Sequence, residues 1–544
     1  MDQRKRYDLF PSKVVLTRGE VSGAELLLSP KPLQITTDEP ACTLLSNGES
    51  GEKAEVILDF GRELNGSARL LTHVTSGMKN VKVRIVLGES VSETMSTVGE
   101  KGATNDHAIR DFETFICPFS DMTYPESGFR FVRIILEEPN SSLRIKALSA
   151  VEIVRDIPYL GSFECDSELL NRIYSTAAYT CHNCMQQFIW DGIKRDRLVW
   201  VGDMHPEMLT VRTVFGPQQV FEDSLDFMRD QTPLSGWMNG MPSYSLWWLI
   251  MVWDWYFYTG STAFLEKNRE YALELARKIE ALVDETGEDH LPGYFLDWPS
   301  HETPWEKAGT RALMALCLRK TSLLAGVCGD AKLAGDCLAK AELICATALD
   351  THGAKQVEAF AALSGWSDTV TAGKNILSGG AKGFSTFMSY YLFTVAARAD
   401  APGAIEVLKE YYGAMLSMGA TTFWEDFNID WMENAAPIDA PVPEGKSDIH
   451  GDNGAFCYIG LRHSLCHGWS SAVTAFLAET VLGITIAEPG CKKLILRPNL
   501  CGMTFARGTY PTPHGVVTVS HTATPDGIKT EYSAPEGVEV EIVS

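Results

Sequence analysis

Hydrophobic and polar positions alternate in three different ways along the chain. From about residue 50 to 160, Val56-Ile-Leu58, Val81-Lys-Val-Arg-Ile-Val86 and Phe129-Arg-Phe-Val-Arg-Ile-Ile135 alternate or run apolar between Gly, Asn and Ser. Short strands punctuated by turn residues predict a β-sandwich. Asp156-Ile-Pro158 through Gly161 reads as the linker out of it. Asp166-Ser-Glu168 then offers a helix cap, and apolar positions follow at Leu169, Leu170, Ile173, Tyr174, Ala177, Cys181, Cys184, Met185 and Phe188. That three-to-four spacing is helical. It recurs at about 217–230, 244–258, 262–285, 304–328, 331–350, 383–399, 402–418 and 464–482. The pattern predicts near a dozen helices with no interleaved strands and no fixed repeat, which argues against a solenoid. A closed double ring of helices, with long loops around one pocket, fits best. After Leu482-Gly-Ile484 the strand pattern returns at Leu494-Ile-Leu496, Gly515–Val519 and Val538–Ile542.

The boundaries expected from these changes are 1–160 and 483–544 for two β-domains and 161–482 for the helical one. Composition agrees with a globular chain: 45% hydrophobic and 22% charged over 544 residues. The formal charge of -23 disfavours nucleic acid and anionic membrane, so a neutral ligand fits more easily. The most apolar run, Leu246 to Tyr258, is too short to cross a bilayer and contains Asp254. The basic start, Met1 to Pro11, has no apolar h-region behind it. Thirteen scattered cysteines favour reduced thiols over a disulfide framework. Together these predict a cytoplasmic protein. Cys181-His-Asn-Cys184 has no second pair at zinc spacing, so neither metal nor cofactor is expected. Oligomeric state is left open.

Candidate chemistry concentrates in Asp191–Glu207, where four acids, two arginines, a lysine, a histidine and a tryptophan fall within seventeen residues. A helix carrying this run would expose charge on every face. It reads as a loop entering a helix near Asp203, and loops on a rigid scaffold carry function. A solvated linker would look similar. Asp191, Asp196 and Asp203 could share a pocket in which Arg195 donates and Trp200 offers an apolar ring. Trp298 and Trp424 sit beside acids in segments without helical periodicity, as ring platforms would, whereas Trp248, Trp253 and Trp255 read as core. Glycoside hydrolysis needs two carboxylates across the scissile bond. Asp196 and the Glu425 of Thr421-Thr-Phe-Trp-Glu425-Asp426 are the candidate pair, with Ser464-Leu-Cys-His467 as a third piece.

At these residues the sequence resembles the bacterial α-L-rhamnosidases of glycoside hydrolase family seventy-eight. Residues 191–203 look like a shortened form of the family's Asp-Cys-Pro-Gln-Arg-Asp-Glu-Arg-Leu-Gly-Trp-Thr-Gly-Asp loop. Leu58-Asp-Phe-Gly61 and Gly128–Val132 resemble its N-terminal sandwich, and Gly161-Ser-Phe163 through Ile173 its barrel entry. Asp297-Trp298 and Gly419–Glu425 resemble its Asp-Trp and Gly-Ala-Thr-Thr-x-Trp-Glu elements. Leu482–Ile484, Glu488–Gly490 and Pro513–Gly515 resemble its C-terminal sandwich.

The resemblance implies an (α/α)6 barrel flanked by N-terminal and C-terminal β-sandwich domains. It also implies an inverting hydrolase of terminal α-L-rhamnose that needs no metal. By position, Glu425 would be the general base. Asp191, Arg195, Trp200, Asp203, Trp298 and His467 would hold the sugar, with Trp247 a looser match. The family has Asp then Glu after its Arg; here Arg195 is followed by Asp196 and Arg197, one residue short. Asp196 is the expected general acid, being the protonatable group left at that point. Small rhamnosides are the expected substrates. Alternatives are another sugar on the same barrel, or a homologue that binds sugar without cleaving it.

Overall fold

The structure, a computed structural model, describes residues 3–48 and 51–543. Met1, Asp2, Glu49, Ser50 and Ser544 lie outside the described residues, and so do the first residues of the chain start and the end of the last expected domain.

Residues 4–155 form one ten-stranded sheet, with neighbouring strands antiparallel. Its spine is Glu55–Thr75, a 21-residue strand that pairs with Lys13–Arg18, Ser127–Leu136 and Ser142–Arg155. Leu58, Val83, Ile85, Phe129, Val132 and Ile134 build a core belonging to this sheet alone. The pairing of the spine slips between Asp59 and Leu64, with Gly61 at φ 81°. Such a bulge bends a strand and re-aims its later residues. Past the bulge, the backbone N–H of Glu63 donates to Thr421 Oγ1 (2.9 Å) and its carbonyl accepts from Tyr179. The sheet thereby docks on the helical region.

Twelve α-helices lie between Glu168 and Thr480 among the described residues. The helices are cut as their sequences dictate: Ser261, Asp330, Asp368 and Asp400 accept from backbone N–H groups at helix starts. Gly260 and Gly365 end helices at φ 65° and 81°. Pro242–Thr259 is apolar on every face and buried accordingly. Among the described residues, no helix is long and apolar enough to cross a membrane.

The expected helix at 464–482 shrinks to Val473–Thr480, preceded by a 3-10 turn at Gly468–Ser471. Its first residues have other partners. His467 N–H donates to Phe423 O (3.0 Å), Gly468 N–H to Asp191 O (2.7 Å) and Leu465 N–H to Glu89 (2.7 Å).

The last strands form a four-stranded sheet and a three-stranded one. The four-stranded sheet begins with Ser162–Cys165, paired to Phe505–Thr512. Residues 162–165, expected at the head of the helical domain, therefore stand in the C-terminal sheet. Gly161 makes the crossing: a Cβ there would lie 1.8 Å from Thr213 O. The helices and the C-terminal strands share one continuous core running from Phe163 to Val519. The N-terminal sheet is an attached body; the C-terminal one is fused.

Candidate active site

The segment from Trp190 to Asp203 is the loop its composition implies, and Asp203 starts the helix Met204–Thr210. Gly192 bridges His467 as a single β-pair, which ties the loop to the segment before the last helix. The N-terminal sheet grips the other side. Arg110 donates to Lys194 O (2.9 Å), and Arg197 donates to Glu126 O (3.1 Å) while lying over the Trp190 ring at 4.7 Å. A Cβ on Gly128 would come within 2.8 Å of the Ile193 backbone, so only glycine lets the strand approach this closely.

Lys194, with no exposed side-chain surface, reaches between Glu93 (2.9 Å) and Glu89 (3.4 Å) and donates to the Leu461 and His463 carbonyls. Such buried ion pairs add little net stability but demand one arrangement. Asp196 and Arg197 take φ 55° and 57°, a left-handed pair without glycine. Each costs on the order of 1 kcal/mol and is held by these surroundings.

Arg195 sits at the centre. Its Nη1 donates to Asp196 Oδ1 (2.8 Å) and its Nη2 to Glu425 Oε1, so one guanidinium serves both candidate catalytic carboxylates. Glu425 Oε2 accepts from Ser464 N–H (3.0 Å), and its carbonyl accepts from Trp469 Nε1 (2.8 Å). Asp196 Oδ2 accepts from Trp200 Nε1 (3.1 Å), and its N–H donates to His107 Nδ1 (2.7 Å).

His467 Nε2 lies 3.7 Å from Asp191, 3.8 Å from Asp203 and 3.8 Å from Glu425. These spans exceed a direct hydrogen bond. Asp191 Oδ1 is spent on Leu198 N–H (2.9 Å) and Asp203 Oδ1 on Tyr244 OH (3.2 Å). Their Oδ2 atoms and both His467 nitrogens have no hydrogen bond among the described residues. The cluster has capacity for hydroxyl groups.

Burial sets the protonation of this cluster. It pushes the Asp191 and Asp203 carboxyls well above the usual range and holds the His467 imidazole well below its own. Glu425 is raised by burial too, but Arg195 pulls against the rise. Burial raises Asp426, next in sequence, to about 7 and Asp297 to about 6.

Trp298 flanks the cluster. It stacks on Phe456 (5.7 Å between centroids) and meets Tyr458 edge-on (6.4 Å), next to the Cys457 thiol that Arg195 touches. Trp247 does not join them. It is buried against His205 (4.9 Å), Tyr391 (5.4 Å) and Phe360 (5.8 Å) and lines a separate cavity. Its helix carries Tyr244 into the cluster instead, and Trp247 lies about one turn further along the same helix. Sequence reasoning missed Tyr244, His107 and Cys457. None has a motif around it, and His107 reaches the loop only because the N-terminal sheet docks there.

One group could be mistaken for a metal centre. Donor atoms of Glu89, Glu93 and His450 lie within 4.8 Å of one another. The His450 ring nitrogens are spent on Ser90 Oγ (2.7 Å) and the His463 carbonyl (2.9 Å), and the Lys194 ammonium is the cation between the carboxylates. The Sγ atoms of Cys181 and Cys184 lie on different carbonyls, those of Glu207 (3.8 Å) and Asp191 (3.8 Å).

Comparison with known proteins matches residues 158–332 to the bacterial α-L-rhamnosidase six-hairpin glycosidase domain and residues 483–543 to the bacterial α-L-rhamnosidase C-terminal domain. These two stretches are thus similar to domains of bacterial α-L-rhamnosidases. An α-L-rhamnosidase of Alteromonas sp. (strain LOR) is 30% identical over 129 residues, 24% of this chain and 12% of that longer protein. The chain thus matches only a small part of its curated relatives' length. A family seventy-eight rhamnosidase of Bacillus sp. GL1 superimposes with a TM-score of 0.78 at 21% identity, over 95% of this chain and 55% of that one. A Klebsiella oxytoca rhamnosidase with rhamnose bound gives 0.69 at 18% identity, over 88% of this chain and 96% of that one. At such identities the likeness shows the fold: a helical core with β-domains.

Proposed function

We propose that this chain hydrolyses terminal α-L-rhamnosides with inversion, using Asp196 as general acid and Glu425 as general base. The helices would form the (α/α)6 barrel between two β-sandwich domains. The observation that carries the reading is the single Arg195 guanidinium shared by these two carboxylates, with Arg195 and Asp196 in the stretch that matches the six-hairpin glycosidase domain.

In the reaction, Glu425 takes a proton from water as the water oxygen bonds to the anomeric carbon. Asp196 gives its proton to the departing glycosidic oxygen. Arg195 opposes the rise that burial gives Glu425 and so favours the ionised form a base needs. Asp191, Asp203 and His467 carry unspent polar atoms for the sugar hydroxyls, and Trp200 and Trp298 supply ring faces. Rhamnose is the proposed sugar by family and because a relative of the same fold has rhamnose bound. A neutral deoxy-sugar also suits a chain of net charge -23. Inversion asks for carboxyls about 6.5–9.5 Å apart. Contact with different nitrogens of one guanidinium supports separation over direct pairing.

The test is release of p-nitrophenol from p-nitrophenyl α-L-rhamnoside, with proton NMR of the first sugar anomer formed. Inversion gives β-L-rhamnose first; initial α-anomer would overturn it. Glu425→Gln and Asp196→Asn should each remove turnover. One observation favours a second reading, a sugar-binding homologue. Both Asp196 oxygens are already engaged, by Arg195 and Trp200. Rhamnose binding without turnover in the unmodified protein, unchanged by either substitution, would favour that reading.

A further inference from the structure

A second large cavity, of about 1080 Å3, lies at the other end of the helices that start at the candidate active site. Asp203 and Tyr244 stand at the heads of Met204–Thr210 and Pro242–Thr259. His205, Leu209, Trp247, Asp254 and Phe257, further along the same helices, line this cavity, with C-terminal strand residues such as Ile484 and Tyr510 across from them. Its volume is that of a small-molecule site.

Its polar groups divide sharply. Every carboxylate in the lining is satisfied. Asp254 is held by Lys320 (2.5 Å) and His205 (3.3 Å), and Glu479 by Arg212 (2.6 Å) and Tyr390 OH (2.7 Å). His205 spends its other nitrogen on Tyr391 OH (2.7 Å). The unspent groups are cations and donors. Arg398 and Arg497, both exposed at the mouth, have no carboxylate within 4.0 Å among the described residues, and buried Arg212 Nε and Thr394 Oγ1 have no partner there.

The lining thus carries four cations, Arg212, Lys320, Arg398 and Arg497, against two anions, Asp254 and Glu479, in a chain of net charge -23. The walls between are aromatic, with Trp247, Trp253 and Phe257 prominent. A free sugar would need acceptors that are already taken. A ligand with a flat apolar body and one carboxylate uses what is left: rings for stacking, arginines for a charge-assisted fork.

We propose that this cavity is a binding site for a small aromatic carboxylate, separate from the site of hydrolysis. The rings of Trp253 and Phe257 take the aromatic body, and Arg398 with Arg497 takes the carboxylate.

Titration calorimetry on the full chain with cinnamate, and with cinnamyl alcohol as its neutral isostere, tests this. Cinnamate should bind one per chain, at least about tenfold tighter than the alcohol, and weaken as salt is raised. The double variant Arg398→Ala/Arg497→Ala should lose about tenfold in cinnamate affinity, since charged contacts of this kind carry roughly that much. Its rhamnoside turnover should not change. Glu425→Gln should bind cinnamate as the unmodified chain does. Absence of binding, equal binding of acid and alcohol, indifference to the arginine changes, or displacement of cinnamate by rhamnose would each overturn the proposal. None of those outcomes bears on whether the other end hydrolyses rhamnosides.

Discussion

Two regions of the helical core hold the same ingredients and treat them in opposite ways. At one end Asp191 and Asp203 are buried and Asp426 half-buried, with few partners, and burial drives their carboxyls upward. At the other end Asp254 is just as deeply enclosed, yet Lys320 and His205 outweigh the burial and hold its carboxyl far below the usual range. A carboxylate in a low-dielectric interior is decided by the nearest cation, not by depth. Among the carboxylates around His467, the Arg195 guanidinium is spent on Asp196 and Glu425. That division sets Glu425 apart, since Arg195 opposes the rise that burial gives its carboxyl.

The contrast can be broken from either side. The largest effect is expected at Glu425→Gln, which removes the ionised group that Arg195 maintains; kcat should fall by about 10³-fold, the scale of a lost general base. Thermal unfolding should stay within a few degrees. A variant retaining a tenth of normal activity would sink the assignment.

Stability should then respond to pH with opposite signs at the two ends. Asp426 has its folded value raised to about 7, so the folded state keeps a proton that the unfolded chain releases near pH 4. Its penalty is absent below about pH 4 and grows as pH rises towards 7. Asp426→Asn should therefore stabilise the protein at neutral pH by about 2–4 kcal/mol, the gap closing near pH 4 in urea titrations. A gap independent of pH would refute it.

Asp254 has its folded value depressed, so its contribution is present above about pH 4 and lost as pH falls through the folded value. Lys320→Met strands that carboxylate and should cost about 1–3 kcal/mol at pH 7, shrinking on acidification. No loss at pH 7 would mean that the pair is dispensable.

The smallest effect sharpens the role of the attached β-domain. His107→Ala removes the acceptor for the Asp196 N–H and should lower kcat about tenfold, about 1.4 kcal/mol, with unfolding barely moved. An unchanged kcat would show that the left-handed turn at Asp196 holds without it.

Much of this was legible in the chain. Strand and helix texture located the β, helical and β regions, because alternation and three-to-four spacing report directly which face is buried. The charge-rich run at 191–207 stood out because a helix carrying all of it would expose charge on every face. Elsewhere the signal was too local. Residues 464–472 carry apolar periodicity, but their backbone bonds go to Asp191, Phe423 and Glu89, partners 40 to several hundred residues away. Ser162–Cys165 read as a helix entry, yet its partner strand begins at Phe505. Trp247 was grouped with the sugar-binding residues by position alone, and its place one turn further along the helix than Tyr244 puts it in the lining of the other cavity.

By itself the sequence determined which segments are strands or helices, where charge collects, and which residues could supply acid, base and ring faces, since those depend on residue type and near neighbours. Only the tertiary structure decided that Arg195 stands between Asp196 and Glu425, that His107 from the first domain meets the loop, and that Lys194 fills the place between two buried glutamates. Protonation and positioning depend on distances of a few ångströms between residues far apart in the chain, and those distances exist only once the cores have packed.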